Sequence, residues 1–236
     1  MSAHSTHAFA EKVAFVTDGE SPIGRAVALQ LALLGSYVIV GAKPSAPDSV
    51  SAVAELTSLG TLAKSVSADL TTPAGAAAAA SEIDALFGRL DLLVNCLKIA
   101  PKSSFEDNGA AEFDSVVGSN FKSAYMVARA CLPLMMGRPK PRIVNIVTRE
   151  PSINAPLFEA TQAAVEGFTR SLAKTLAANF RVNAVAAIAA TSRKGFDPEL
   201  LPMAGTASAD DAARAVIYLL SPEAVGVNGQ VLEVAG

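Results

Sequence analysis

Short apolar runs rich in β-branched residues alternate along this chain with longer stretches in which apolar positions recur every three or four residues. The runs KVAFVTD, YVIVGAK, LAKSVSAD, LDLLVNC, RIVNIVT, RVNAVAAI and GQVLEVAG predict strands. Between them, IGRAVALQLALLG predicts a helix closed by Gly35, VSAVAELTSLG another, and PAGAAAAASEIDALFG one that begins at Pro73 and stops at Gly88. A long helix is expected over FDSVVGSNFKSAYMVARACLPLMM, followed by helices over EATQAAVEGFTRSLAKTLAANF and ADDAARAVIYLLS. The alanine-rich AGAAAAA fits helix propensity better than disorder.

Steady alternation of strand and helix predicts parallel strands joined by right-handed crossovers. The expected fold is α/β, a single-domain, Rossmann-like doubly wound sheet with helices on both faces. No Pro/Gly/Ser-rich linker interrupts the pattern, so residues 12–236 are read as one domain and residues 1–11 as a disordered leader. Ligands in such sheets bind beyond the carboxyl ends of the strands, where strand order reverses.

Composition narrows the classes of function. With 51% hydrophobic and 17% charged residues over 236 positions, a large core can be buried. A formal charge of −3 supplies no broad positive field, so nucleic acid is not an expected partner. No run approaches the length of a membrane span, the leader has no apolar segment of the secretory type, and Cys96 and Cys131 are too few for a disulfide framework. These features together predict a soluble, cytoplasmic protein. His4 and His7 are the only histidines and both lie in the leader, which excludes histidine chemistry from the body of the chain and predicts no metal site.

Between the first strand and first helix stands TDGESPIG, Thr17 to Gly24, where a dinucleotide loop would place glycines against a pyrophosphate. SADL contributes Asp69 and Leu70, VNCLKIA keeps Asn95, GSNFKSAY supplies Asn120, RIVNIVT ends on Thr148, and RVNAVAAIAAT ends on Thr191. With AAVEGFTRSLA and NGQVLEVAG, these stretches resemble the short-chain dehydrogenase/reductase family from about Lys12 to Gly236, most closely its 3-oxoacyl-(acyl-carrier-protein) reductase branch.

The resemblance implies a nicotinamide cofactor held by Thr17, Gly19, Ile23, Gly24, Lys43, Asp69, Leu70, Asn95 and Thr191. Ala42 replaces an acid of NAD-preferring members and Lys43 matches a base of NADP-preferring ones, so NADP is the cofactor implied, if any binds. Asp18 and Pro22 replace two glycines of the family loop T-G-x-x-x-G-I-G. Pro22 removes an N–H, and Asp18 and Glu20 add negative charge near the expected phosphates. Leu97 and Lys98 replace small residues that border the ribose, so occlusion is expected there. Ala187 and Ile188 replace the Pro-Gly of the nicotinamide loop, and the segment from Ser192 to Ala209 is short for a substrate lid.

The family delivers its proton from a tyrosine made more acidic by a lysine four residues on. Aligned through AAVEGFTRSLA, Phe158 stands at the tyrosine and Gln162 at the lysine. Neither can donate the proton or supply the charge. Thr148 takes the serine position, and Asn120 either holds a relay water or satisfies a local backbone group. The expectation is a non-catalytic or weakly catalytic member retained as a binding or assembly partner. The alternative is an NADP-dependent carbonyl reductase in which Thr148, Lys98 or water gives the proton.

Family members pair through two long helices, here Ala111 to Met136 and Glu159 to Phe180. The resemblance therefore implies a homodimer or homotetramer, or a mixed oligomer with an active relative. Phe121, Tyr125, Leu132, Val165, Phe168 and Leu172 serve either that interface or the internal core. Whether a small-molecule ligand enters the pocket, and which, is left open by the sequence.

Overall fold

Strands buried on both faces are mainly apolar, and that is why they read as nearly unbroken apolar runs. The computed structural model describes residues 9–42, 49–96, 98–149, 156–188 and 208–234. Its strands are β1 (Val13–Val16), β2 (Tyr37–Ala42), β3 (Ala63–Ser67), β4 (Leu92–Asn95), β5 (Arg142–Arg149), β6 (Arg181–Ile188) and β7 (Val231–Val234). They form a parallel sheet of order β3-β2-β1-β4-β5-β6-β7. Strand order reverses at β1, which pairs with both β2 and β4 and so opens the crevice expected of a doubly wound sheet.

The helices are α1 (Pro22–Leu33), α2 (Ser49–Ser58), α3 (Pro73–Phe87), α4 (Ala110–Val117), α5 (Ser123–Met135), α6 (Pro156–Thr175) and α7 (Ala209–Leu220). Because side chains alternate along a strand, β1 sends Ala14 and Val16 to a core shared with α1 and α7, and Val13 and Phe15 to a core shared with α3 and α5. Local signals start and stop these helices as expected. Thr72 caps α3, Pro73 is its first residue, and Gly88 ends it at φ 62°. No helix among the described residues is long and apolar enough to cross a membrane.

Two expectations need correction. The packed chain begins before Lys12, since Phe9 is buried and its N–H donates to the Leu34 carbonyl at 3.1 Å. The long helix over FDSVVGSNFKSAYMVARACLPLMM is split by a π-helical turn, Gly118–Lys122. Such a turn inserts an extra residue and rotates the helix beyond it. Here it directs the buried Asn120 side chain onto the backbone of Ile99.

At the amino edge of the sheet, Asp91 ties β1 to β4. Its buried carboxylate accepts from the Val13 N–H at 3.0 Å and lies 3.4 Å from Lys12, 3.6 Å from Arg89 and 3.4 Å from Arg138. Those cations are about one-third exposed, so solvent weakens each pair, but the backbone bond is buried. Replacing Asp91 with Ala is expected to cost roughly 2–3 kcal/mol of stability in a urea titration, mainly through the orphaned Val13 N–H.

Candidate functional site

The carboxyl edge of the sheet is where the chemistry was expected, and there the protein satisfies its own backbone donors. The turn after β1 is the first instance. Ser21 caps α1, accepting from the Gly24 N–H at 3.2 Å and donating to the Asp18 carbonyl at 2.8 Å. Of the first three helical positions, Pro22 has no N–H and Gly24 has given its own to Ser21.

The same turn is built after β3. Asp18-x-x-Ser21-Pro22-x-Gly24 and Asp69-x-x-Thr72-Pro73-x-Gly75 share one pattern. Thr72 donates to the Asp69 carbonyl at 3.0 Å and accepts from the Gly75 N–H at 3.0 Å. A Cβ on Gly24 would lie 1.9 Å from the Asp18 carbonyl oxygen, and one on Gly75 would lie 1.9 Å from that of Asp69. Both glycines therefore serve close packing within the turn. As a phosphate cradle the first turn is weakened: Pro22 brings no donor, Gly24 has given its own to Ser21, and Asp18 and Glu20 add negative charge. This repeated pattern was present in the sequence and marks the first turn as an ordinary capped helix start.

The remaining cofactor candidates among the described residues are packed or hydrogen-bonded within the protein. Thr17 Oγ1 accepts from the Cys96 N–H at 2.9 Å, tying β1 to the end of β4. Gly19 sits where a Cβ would meet Val40 at 2.6 Å, and Ile23 packs on the core. Asp69 turns its carboxylate to Thr71, accepting from the N–H at 3.0 Å and the hydroxyl at 2.6 Å, while Leu70 is buried core. Asn95 donates to Asn145 Oδ1 at 2.8 Å, and Asn145 donates in turn to Thr169 at 2.8 Å. Lys43, Leu97, Thr191 and the segment 192–207 lie outside the described residues.

The catalytic candidates are brought together around the end of β5. Strand β4 ends at Asn95, opposite Asn145, whereas β5 runs on to Arg149. Beyond that point the Thr148 N–H is met by Gln162 Oε1 at 2.9 Å, from a side chain buried in α6. Phe158, one turn earlier on the same helix, is 3% exposed. Glu166, one turn later, pairs with Arg149 at 2.7 Å and Arg170 at 3.2 Å. Asn120 Oδ1 accepts from the Ile99 N–H at 2.7 Å, and its Nδ2 donates to the Ile99 carbonyl and to Thr161 Oγ1, both at 2.9 Å. The Asn120 amide thus pairs with both backbone groups of Ile99.

Lys98 Nζ donates to Thr148 Oγ1, placing a cation beside the one hydroxyl that matches a catalytic position. Sequence reasoning named both residues but did not foresee their contact, which depends on the register of β4 against β5. Burial, and next the charge of Asp18, push the Cys96 thiol up to about 12 against the opposing pull of Lys98. Cys131 is likewise raised to about 12 by burial, so neither thiol is a thiolate near neutral pH.

A family model described as short chain dehydrogenase matches residues 12–193. The 3-oxoacyl-(acyl-carrier-protein) reductase FabG of Staphylococcus aureus is 29% identical over 95% of this chain and 97% of its own. A dehydrogenase/reductase from Sinorhizobium meliloti superposes with a TM-score of 0.89 at 28% identity, covering 98% of this chain and 96% of that one. A short chain dehydrogenase from Burkholderia cenocepacia, solved in complex with NADP, gives 0.85 at 28% identity, covering 95% and 96%.

Gln162→Leu is expected to leave the buried Thr148 N–H without an acceptor and to lower stability by about 1–3 kcal/mol in denaturant unfolding. Native protein at pH 8 should resist alkylation by iodoacetamide at both cysteines and react fully once unfolded; rapid native labelling would contradict the raised thiols.

Proposed function

This chain belongs to the short chain dehydrogenase family, and from that premise we propose that it keeps the scaffold without ordinary carbonyl reduction and serves as a binding or assembly partner. The observation that carries this reading is the 2.9 Å bond from the Thr148 N–H to Gln162. At the position where the family's lysine is matched, an uncharged carboxamide is committed to holding a strand end. Phe158 has no exchangeable proton, and loss of a positioned acid forfeits about 10² to 10⁴ in rate. The self-capped turn after β1 argues in addition for weak nicotinamide binding, with NADP the form to expect if one binds.

Assembly follows the family's helices in this reading, as a homodimer, a homotetramer or a mixed oligomer with an active relative, in the cytoplasm. Support comes from α5, which leaves Tyr125 exposed, and from the tilted contact of Tyr125 with Phe168 of α6 at 5.5 Å. Aromatic side chains at a helix surface gain most when a partner covers them.

One contact favours a second reading, an NADP-dependent 3-oxoacyl reductase with an altered donor. Lys98 already donates to Thr148 Oγ1, so a proton could pass from the ammonium through the hydroxyl to a carbonyl oxygen.

Thermal melts with NADPH and NADH separate the two. A ligand that binds the native state raises the melting temperature, and at about 100 times its Kd adds about 2.7 kcal/mol. We expect no shift for either nucleotide up to about millimolar concentration. Saturable micromolar binding of NADPH, with reduction of an acyl-thioester ketone lost in Thr148→Val, would establish the second reading instead. Phe158→Tyr combined with Gln162→Lys is expected to remain inactive at ordinary cofactor concentrations, because the turn after β1 stays a weak pyrophosphate cradle.

A further inference from the structure

At the end of the sheet opposite the cofactor crevice, a cavity of about 350 Å³ lies among the turns that precede β5 and β6. Arg138, Lys140, Arg142 and Arg181 line it. Strand β5 runs from Arg142 at this cavity to Arg149 at the crevice, a span of roughly 23 Å at the usual rise per residue. The two regions are therefore separate sites.

Parallel pairing sets Arg142 directly beside Arg181, the first residues of adjacent strands. Like charges side by side on a sheet repel, and these two are not equally compensated. Arg181 is braced by backbone carbonyls, donating to Val225 at 2.6 Å, Phe180 at 2.8 Å and Ala177 at 3.3 Å. Arg138 faces Asp91 at 3.4 Å. Arg142 is 4% exposed, and its Nη1 is buried with no hydrogen-bond partner among the described residues. A buried guanidinium donor left unmet is costly, and a guanidinium fork matches a phosphate or carboxylate edge.

We propose that this cavity binds a phosphate-bearing small molecule, with the Arg142 side chain at its inner wall and Lys140 as the cation at the rim. Four cationic side chains line the space against two acids, Asp91 on Arg138 and Glu223 on Arg142, so the balance calls for an anion of about two charges. The volume suits a small molecule. Burial and the neighbouring Arg181 lower the proton affinity of Arg142, with Glu223 opposing them; an anion in the cavity would act in the same direction as Glu223.

Calorimetric titration of the full chain with pyrophosphate, at constant ionic strength, tests the assignment. Saturable binding at one site is expected, tighter than for orthophosphate, and weakened roughly tenfold in Arg142→Met. Lys140→Asn guards against a folding failure of that variant. Lys140 is exposed with φ 55°, a conformation asparagine tolerates, so the charge is removed from an intact fold. The same roughly tenfold loss is expected there. Lys98→Gln, at the opposite edge, should bind as the unaltered chain does. Absence of heat up to about 10 mM pyrophosphate overturns the proposal. Binding unchanged in both cavity variants, or abolished by Lys98→Gln, overturns it equally.

Discussion

Every buried backbone N–H must meet an acceptor, and at the carboxyl edge of this sheet the acceptors are the protein's own side chains. Gly24, Cys96, Ile99 and Thr148 donate their N–H groups to Ser21, Thr17, Asn120 and Gln162 respectively. These bonds hold together the turn after β1, the end of β4, the segment just beyond β4 and the overhanging end of β5. The crevice of a doubly wound sheet normally offers such donors to a ligand. Here they are spent on cohesion.

The substitutions along α6 make the same point from the side chains. Phe158, Gln162 and Glu166 share a helix face, and each has a structural role: a buried ring, a strand-end acceptor, and a carboxylate between Arg149 and Arg170. Four-residue spacing, which in the family sets a tyrosine beside a lysine, here sets an apolar group beside an amide. Lys98 enters from the other side and contacts Thr148. The amino edge differs in kind. Asp91 gathers three cations there, while Arg142 keeps a buried donor unmet beside Arg181. Among the described residues, Asn95 Oδ1 at the crevice and Arg142 Nη1 at the amino edge each lie buried without a hydrogen-bond partner.

Much of this was legible in the sequence by itself. Apolar periodicity marked each strand and helix, and Pro73 and Gly88 bounded α3, because these preferences act over a few residues. The replacement of a phenol by Phe158 and of an ammonium by Gln162 needed only an alignment, and so did the loss of glycines at Asp18 and Pro22. Even the capped character of the first turn was written locally, in the pattern repeated at Asp69. Tertiary structure alone decided what Gln162 does, since Thr148 becomes its donor only where β5 outruns β4. It likewise set Lys98 against Thr148 and Arg142 beside Arg181, and turned Asn120 inward through a π-helical turn. Those contacts join residues far apart in the chain, and strand register, which no local pattern specifies, brings them within bonding distance.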